Sequence, residues 1–185
     1  HQLGCKNIHV TGSVKFDQEY DFSKSDSLGF KKFLEHPYFL AASTHDGEDK
    51  IILDSFNLIK RDFPSVKLVV VPRHPERANK IKALFLKMGS KSIYENEEET
   101  SSDILIVKSL GILPTLYADA QLAFIGGSLV KRGGHNIIEP AIAQCPFILG
   151  EHYFNFKNIV ESFINANATY ICLLYTSPSP RDSTL

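Results

Sequence analysis

At 185 residues, with 43% hydrophobic and 22% charged side chains, the chain has the make-up of one globular domain with a sizeable core. A formal net charge of -1 gives no basic surplus for nucleic acid or anionic lipid, so an anion site would have to be a local basic pocket. Cys5, Cys145 and Cys172 are scattered in no metal-type spacing and suit a reducing compartment, and no apolar run approaches the roughly 20 residues of a membrane helix.

In chain order, residues 1–27 read as the end of an interdomain segment, VTGSVKFD at 10–17, running into a polar linker. Short apolar runs then alternate with helical patterns. Residues 38–42 (YFLAA) predict a buried strand, and 47–61 a helix with Ile51, Ile52, Phe56 and Ile59 on one face, ended by Pro64. The run LVVV at 68–71 is β-branched and uncharged, as befits a parallel strand covered on both faces. A helix over 75–88 follows, with Ile81, Leu84, Phe85 and Met88 on one stripe and Gly89 at its end. The acidic run Glu95 to Glu99, broken by Asn96, reads as a solvated loop. Next come a strand at 104–107 (ILIV) and a short helix over 112–119 with Pro114 in its first turn. A strand at 122–125 (LAFI), a helix over 136–144, a strand at 147–149 and a helix over 155–165 complete the series. Residues 172–185 (CLLYTSPSPRDSTL) abandon this pattern. With a start at His1 and one methionine, Met88, they read as a non-native tail on an incomplete domain spanning 28–171.

Alternating strands and helices at this spacing predict βαβ units, right-handed crossovers and helices on both faces of a parallel sheet. The fold class is therefore α/β, a Rossmann-like doubly wound parallel sheet. Ligands in such sheets bind beyond the carboxyl ends of the strands at the switch point, so residues just after the strands carry the functional reading.

Four clusters stand there. The first is FIGGSLVKRGGHNIIEP, residues 124–140. Gly126, Gly127 and Ser128 end a strand, Lys131 and Arg132 sit in the loop, and Gly133-Gly134 precede His135, Asn136 and Glu139 at a helix start. Paired glycines let backbone amides approach a ligand, a helix start offers unpaired N–H groups to phosphate, and Glu139 could accept from a ribose diol. Asn136-x-x-Glu139 equally fits a capping box that serves only the helix, and both readings stand on spacing alone. Pro140 complicates such a cap, because an Asn136 N-cap carbonyl would lose its first helical bond. The loop is neither a Walker loop nor a GxGxxG fingerprint.

The second cluster is PRHPER at 72–77, where the fork of Arg73 suits phosphate and His74 could donate beside it; the alternative is a plain surface turn. The third is ASTHDGE at 42–48, where Ser43, Thr44 and the Gly47 backbone could face the cleft, or Ser43, Thr44 or Asp46 could cap the next helix. The fourth, KSLGI at 108–112, could present a backbone group to a base edge.

Taken together, VTGSVKFD, ASTHDGE, VVVPRHPER, LPTLYADAQLAFIGGSLVKRGGHNIIEPA and HYFNF resemble the lipid A Kdo transferase family over residues 8–166 or so. That family moves 3-deoxy-D-manno-octulosonic acid (Kdo) from CMP-Kdo to lipid A precursor in lipopolysaccharide biosynthesis. The resemblance implies one half of a GT-B glycosyltransferase, the C-terminal donor-binding domain. It implies that Arg73 contacts the CMP phosphate, that Gly126, Gly127 and Ser128 line the cleft, and that Asn136 and Glu139 hold phosphate and ribose; His74 and Ser43 join that set. The segment Lys108 to Leu113 departs from the family's Asp-Thr-x-Gly-Glu-Leu run, which leaves base contacts there in doubt.

The resemblance further implies no metal and no cofactor beyond CMP-Kdo as donor substrate. The general base, the lipid A precursor site and the membrane contact would belong to an N-terminal half, at the cytoplasmic face of the bacterial inner membrane. No catalytic residue is therefore assigned in this chain, and alone it is expected to be inactive. The competing readings are another nucleotide-sugar enzyme of epimerase type and a non-catalytic nucleotide-binding module. A Rossmann dehydrogenase is disfavoured because no Gly-rich turn follows the first strand. The spatial expectation is that Arg73 and Glu139 share one crevice.

Overall fold

The computed structural model describes residues 28–97 and 102–173; the expectations for 1–27, the end of the acidic run and the tail beyond 173 lie outside the described residues. Seven strands run β1 (Tyr38–Thr44), β2 (Lys67–Pro72), β3 (Ile93–Tyr94), β4 (Ile104–Ile106), β5 (Leu122–Ile125), β6 (Phe147–Gly150) and β7 (Tyr170–Cys172). The helices are α1 (Lys31–Leu34), α2 (Asp49–Asp62), α3 (Ala78–Lys87), α4 (Leu113–Asp119), α5 (Ile138–Ile142) and α6 (Lys157–Asn165).

All strand pairs are parallel, in the order β3-β4-β2-β1-β5-β6-β7. From β1 the chain adds β2 and the edge strand β3, inserts β4 between those two, returns through α4 to β5 beside β1, and adds β6 and β7 on the other side. β1 and β5 are neighbours, so the switch point lies between them. The expected doubly wound parallel sheet is present.

Each strand alternates its side chains between two cores. On one face Phe39, Ala41, Leu68 and Val70 pack under Ile52, Leu53 and Phe56 of α2 and Ile81 and Phe85 of α3. On the other, Leu40, Val69, Leu105 and Leu149 pack with Leu116 and Tyr117 of α4 and Val160 of α6. Burial on both faces is why β2 has no polar position in its middle.

Several elements differ from the sequence expectation. The pattern over 75–88 divides into a 3-10 turn, Pro75–Arg77, and α3, which ends at Gly89 with φ +82°. The helix expected over 136–144 shrinks to α5. Pro140 has no N–H for the Asn136 carbonyl, so the first helical bond runs from Ala141 N to Ile137 O at 3.3 Å and Ile137 becomes the N-cap. A 3-10 turn, Phe154–Phe156, precedes α6. α1, β3 and β7 have no periodicity long enough to read in sequence, and they form because the sheet and its neighbours supply partners. Cys172, placed in the tail by sequence pattern, pairs with Gly150 as the end of β7. Among the described residues no helix is long and apolar enough to cross a membrane.

Phe85 and Leu86 are adjacent on α3, yet Phe85 is fully buried and Leu86 is 65% exposed. Phe85→Ala should lower unfolding free energy by about 3–5 kcal/mol through the lost burial and the cavity left behind. Leu86→Ala should stay within about 0.5 kcal/mol of the parent. Urea denaturation of both variants measures the contrast.

Candidate functional site

Three loops leave the carboxyl ends of β1, β2 and β5 and meet beside the switch point. Their positions are set by the buried carboxylate of Glu48, which lies between the first and the last. It accepts from the backbone N–H of Gly127 at 2.8 Å, Ser128 at 3.0 Å, Leu129 at 3.0 Å and His45 at 2.8 Å. Burial raises its pKa, and the four amide donors act in the opposite direction. Successive N–H groups around a residue of positive φ, here Gly127 at +69°, form a concave anion nest. The chain fills that nest with its own carboxylate. The Gly127 and Ser128 amides, expected to face a phosphate, therefore point inward to Glu48.

Close packing explains the glycines. A Cβ on Gly126 would sit 2.1 Å from the Ser43 carbonyl oxygen, and one on Gly127 3.3 Å from the rings of His135 and His45. Ser43 itself adopts φ +55° at the irregularity where β1 leaves its register with β2. A left-handed serine costs on the order of 1–3 kcal/mol, and such strain gathers at functional edges. Ser128 is fully buried: its hydroxyl donates to Ile125 O and accepts from Gly150 N at 2.8 Å. It joins β5 to β6, so its side chain does not line the cleft as expected.

The PRHPER turn splits into two roles. Arg77 is partly buried. It donates to Thr44 O at 2.7 Å and forms an ion pair with buried Asp49, fastening the second loop to the first. Arg73 and His74 are exposed; the Arg73 N–H donates to Thr44 O at 3.0 Å, which plants its side chain at the rim. None of the proposed caps on α2 is made, since that helix has no side-chain cap hydrogen bond and Asp46 lies 3.9 Å from Arg77 instead.

His45 and His135 close the crevice between the first and third loops. Their Nε2 atoms are 2.8 Å apart, and the rings lie nearly parallel with centroids at 5.0 Å. His74 meets His45 edge-on at 5.8 Å. Burial, reinforced by His45, Arg73 and His74, pushes the pKa of His135 down to about 4. Burial and the charges of Arg132, His74, Arg77 and Arg73 lower that of His45. Next to His135, the Asn136 Oδ1 accepts from Ile138 N at 3.1 Å and its Nδ2 donates to Glu139 Oε1 at 3.0 Å. The two side chains thus bond each other, and no side-chain cap is made on α5. The Arg73 N–H is bonded to Thr44, next to His45, and His45 meets His135, next to the Asn136–Glu139 pair.

The HYFNF segment holds the outer part of the third loop. Asn155 Nδ2 donates to Arg132 O at 2.9 Å, and Asn155 N donates to Gly133 O at 3.1 Å. At the far side, the N–H groups of Lys108 and Ser109 donate to Glu95 at 3.2 and 3.4 Å, and Lys108 Nζ lies 3.6 Å from the Tyr94 ring centroid. Among the described residues no group of three or more His, Cys, Asp or Glu side chains is arranged to hold a metal ion. Sequence reasoning missed Glu48, Asp49, Arg77, His45 and Asn155 as site-building residues. The signal was the place of His45, Glu48, Arg77 and Asn155 inside motifs already singled out, with Asp49 one residue beyond ASTHDGE.

Glu48→Gln would put an amide N–H among four backbone donors and leave buried groups unpaired, lowering stability by roughly 3 kcal/mol in urea denaturation. The histidines add a pH dependence. An unfolded imidazole binds its proton near pH 6.5, whereas folded His135 stays neutral down to about 4, so stability is full above 6.5 and falls as pH drops through that window. Thermal midpoints of His135→Asn between pH 4 and 6.5 should fall less steeply than those of the parent.

No protein-family model matches the chain. The 3-deoxy-D-manno-octulosonic acid transferase of Haemophilus influenzae is 36% identical over 176 residues, which are 89% of this chain and 41% of that protein. The Aquifex aeolicus protein of the same name is 35% identical over 160 residues, 86% of this chain and 42% of that protein. The chain thus spans about two fifths of the length of these relatives. The crystal structure of the C-terminal CMP-Kdo binding domain of WaaA from Acinetobacter baumannii matches with a TM-score of 0.73 at 31% identity, covering 86% of this chain and 83% of that domain. A shared sheet over nearly the whole of that domain, with this level of identity, places the chain in the 3-deoxy-D-manno-octulosonic acid transferase family, at its C-terminal domain.

Proposed function

We propose that the chain is the donor-binding domain of a GT-B glycosyltransferase that moves Kdo from CMP-Kdo to a lipid A precursor in lipopolysaccharide biosynthesis. The observation that carries this reading is the convergence of the β1, β2 and β5 loops at the switch point. There Arg73, His74 and Arg132 lie close enough to His45 and His135 to act on them electrostatically, in a protein whose formal net charge is only -1. A local positive rim of this kind attracts a phosphate without making the whole surface basic.

In this reading Arg73 swings from the exposed turn onto the CMP phosphate. Asn136 and Glu139 hold phosphate and ribose, exchanging part of their mutual bond for the ligand. Gly126 and Gly127 contribute by lacking side chains, and Ser43 shapes the rim through its backbone. Ser128 and Glu48 act from behind by holding the loop. α5 has five residues, so helix-dipole stabilisation of phosphate is small, and side-chain charge does most of the work. With Lys108 and Ser109 tied to Glu95, a cytosine edge would be read by other groups in that loop. In this reading none of the described residues is assigned as the general base. The base, the acceptor site and contact with the cytoplasmic face of the inner membrane belong to an N-terminal half.

Calorimetry should show CMP binding more tightly than UMP or NAD. Glu139→Gln should weaken CMP by about 1.5–3 kcal/mol, the range for a hydrogen bond to a charged group. Arg73→Ala, at an exposed position, should cost about 1 kcal/mol. Tighter binding of NAD would reject the transferase reading. Unchanged CMP affinity with a lower thermal midpoint would assign both residues to the fold instead.

A further inference from the structure

We propose that His45 and His135 act as one proton-accepting unit that takes up a single proton when a phosphate monoester dianion, the CMP released by the transfer, occupies the crevice. This rests on the donor-binding reading above and adds to it a discrimination between product and donor.

The geometry sets the proton count. Two imidazole nitrogens 2.8 Å apart share one hydrogen: one Nε2 carries it and the other Nε2 must be bare. The accepting ring then keeps its own proton on Nδ1, and the donating ring has an unprotonated Nδ1. The pair can therefore gain one proton and keep its bond, whereas a further proton would break it. The rings lie nearly parallel with centroids at 5.0 Å and meet end to end through those nitrogens, so the added charge is shared through the hydrogen bond.

The surroundings keep the empty pair neutral. Arg73, His74 and Arg77 approach from the β2 side and Arg132 from the β5 loop, and all of them oppose a positive charge on the rings. The carboxylates on the β1 loop are committed elsewhere. Glu48 is bonded to four backbone amides, Asp49 is paired with Arg77, and Asp46, with a side chain 96% exposed, lies nearest Arg77. A phosphate entering among these cations would cancel their field and favour a proton on the pair.

The reaction changes the charge that the pair sees. In a sugar nucleotide of this class the phosphate is a diester with one negative charge. Transfer breaks the bond from the anomeric carbon to oxygen, and the electron pair stays on the phosphate oxygen. The resulting monoester carries close to two charges at neutral pH, since its second pKa is about 6. The acceptor hydroxyl's proton leaves with the general base of the other half. The proton that answers the new phosphate charge comes from solvent onto the pair. The crevice would thus respond to the departing group more strongly than to the donor.

The test is calorimetry of the chain at pH 7 with CMP and with cytidine 5′-methylphosphate, a monoanionic diester, in Tris, HEPES and Pipes. Dependence of the heat on buffer ionisation enthalpy should report uptake approaching one proton for CMP and near none for the methyl ester. CMP affinity should fall by up to about tenfold per pH unit above neutrality, as linkage to one proton requires. His45→Asn and His135→Asn should each abolish the uptake. Imidazole ¹⁵N shifts of the unmodified chain give the same readout without a variant, showing ring protonation with CMP and not with the ester. Buffer-independent heat for CMP, equal uptake for both ligands, or uptake that survives in both variants would overturn the inference while leaving donor binding intact. Absence of any CMP binding would overturn the donor-binding reading and this inference with it.

Discussion

The Glu48 carboxylate is the fastening on which the crevice depends. Burying a carboxylate is costly, and four backbone N–H groups offset that cost by replacing its water. Two loops that belong to strands on either side of the switch point are thereby held at one distance. The other irregularities fit around that bond: the positive φ of Gly127 turns three amides inward, the missing Cβ of Gly126 admits the Ser43 carbonyl, and Ser43 accepts a left-handed conformation. Local strain of this size persists only where the surroundings over-determine it, and here the sheet edge and the carboxylate do so together.

A division of charge follows from the same packing. Arg77 and Asp49 neutralise each other in a partly buried position, so this arginine serves the scaffold. Arg73 and Arg132 remain at the rim, and two histidines between them are held neutral by burial and by those same cations. The formal charge of the whole chain conceals this, because the acidic run near Glu95 balances the sum on another part of the sheet. At that edge Glu95 and Glu97 are engaged locally, Glu95 with the Lys108 and Ser109 amides and Glu97 with Lys82 at 2.7 Å. A segment that departs from the family pattern, Lys108 to Leu113, thus has a structural partner of its own.

The family assignment and the geometry support each other at different levels. Similarity to the WaaA domain establishes the sheet and its relatives. It does not by itself say why glycines at 126 and 150 cannot be replaced, and the close approaches of Ser43 and Ser128 do. Those contacts turn motif letters into constraints. Gly150 ends β6, far from the GGS motif in sequence, yet its Cβ would sit 2.3 Å from the Ser128 carbonyl oxygen.

Much was determined by the sequence alone. Uncharged runs such as LVVV require cover on both faces, and their alternation with amphipathic stretches permits few arrangements besides a doubly wound parallel sheet. The clusters after the strands, and with them the family, were legible because ligand loops in this fold sit at fixed topological places. Pro140 even foretold that Asn136 could not be an ordinary N-cap. Tertiary structure decided the rest. α1, β3 and β7 are too short to carry a period and exist through their neighbours. Glu48 meets three of its four amide partners across 79 to 81 residues of chain, and His45 meets His135 across 90. No local pattern encodes such pairs. They arise because parallel strands bring their carboxyl ends to one edge, where the pleat and the turns, rather than sequence spacing, choose which side chains touch.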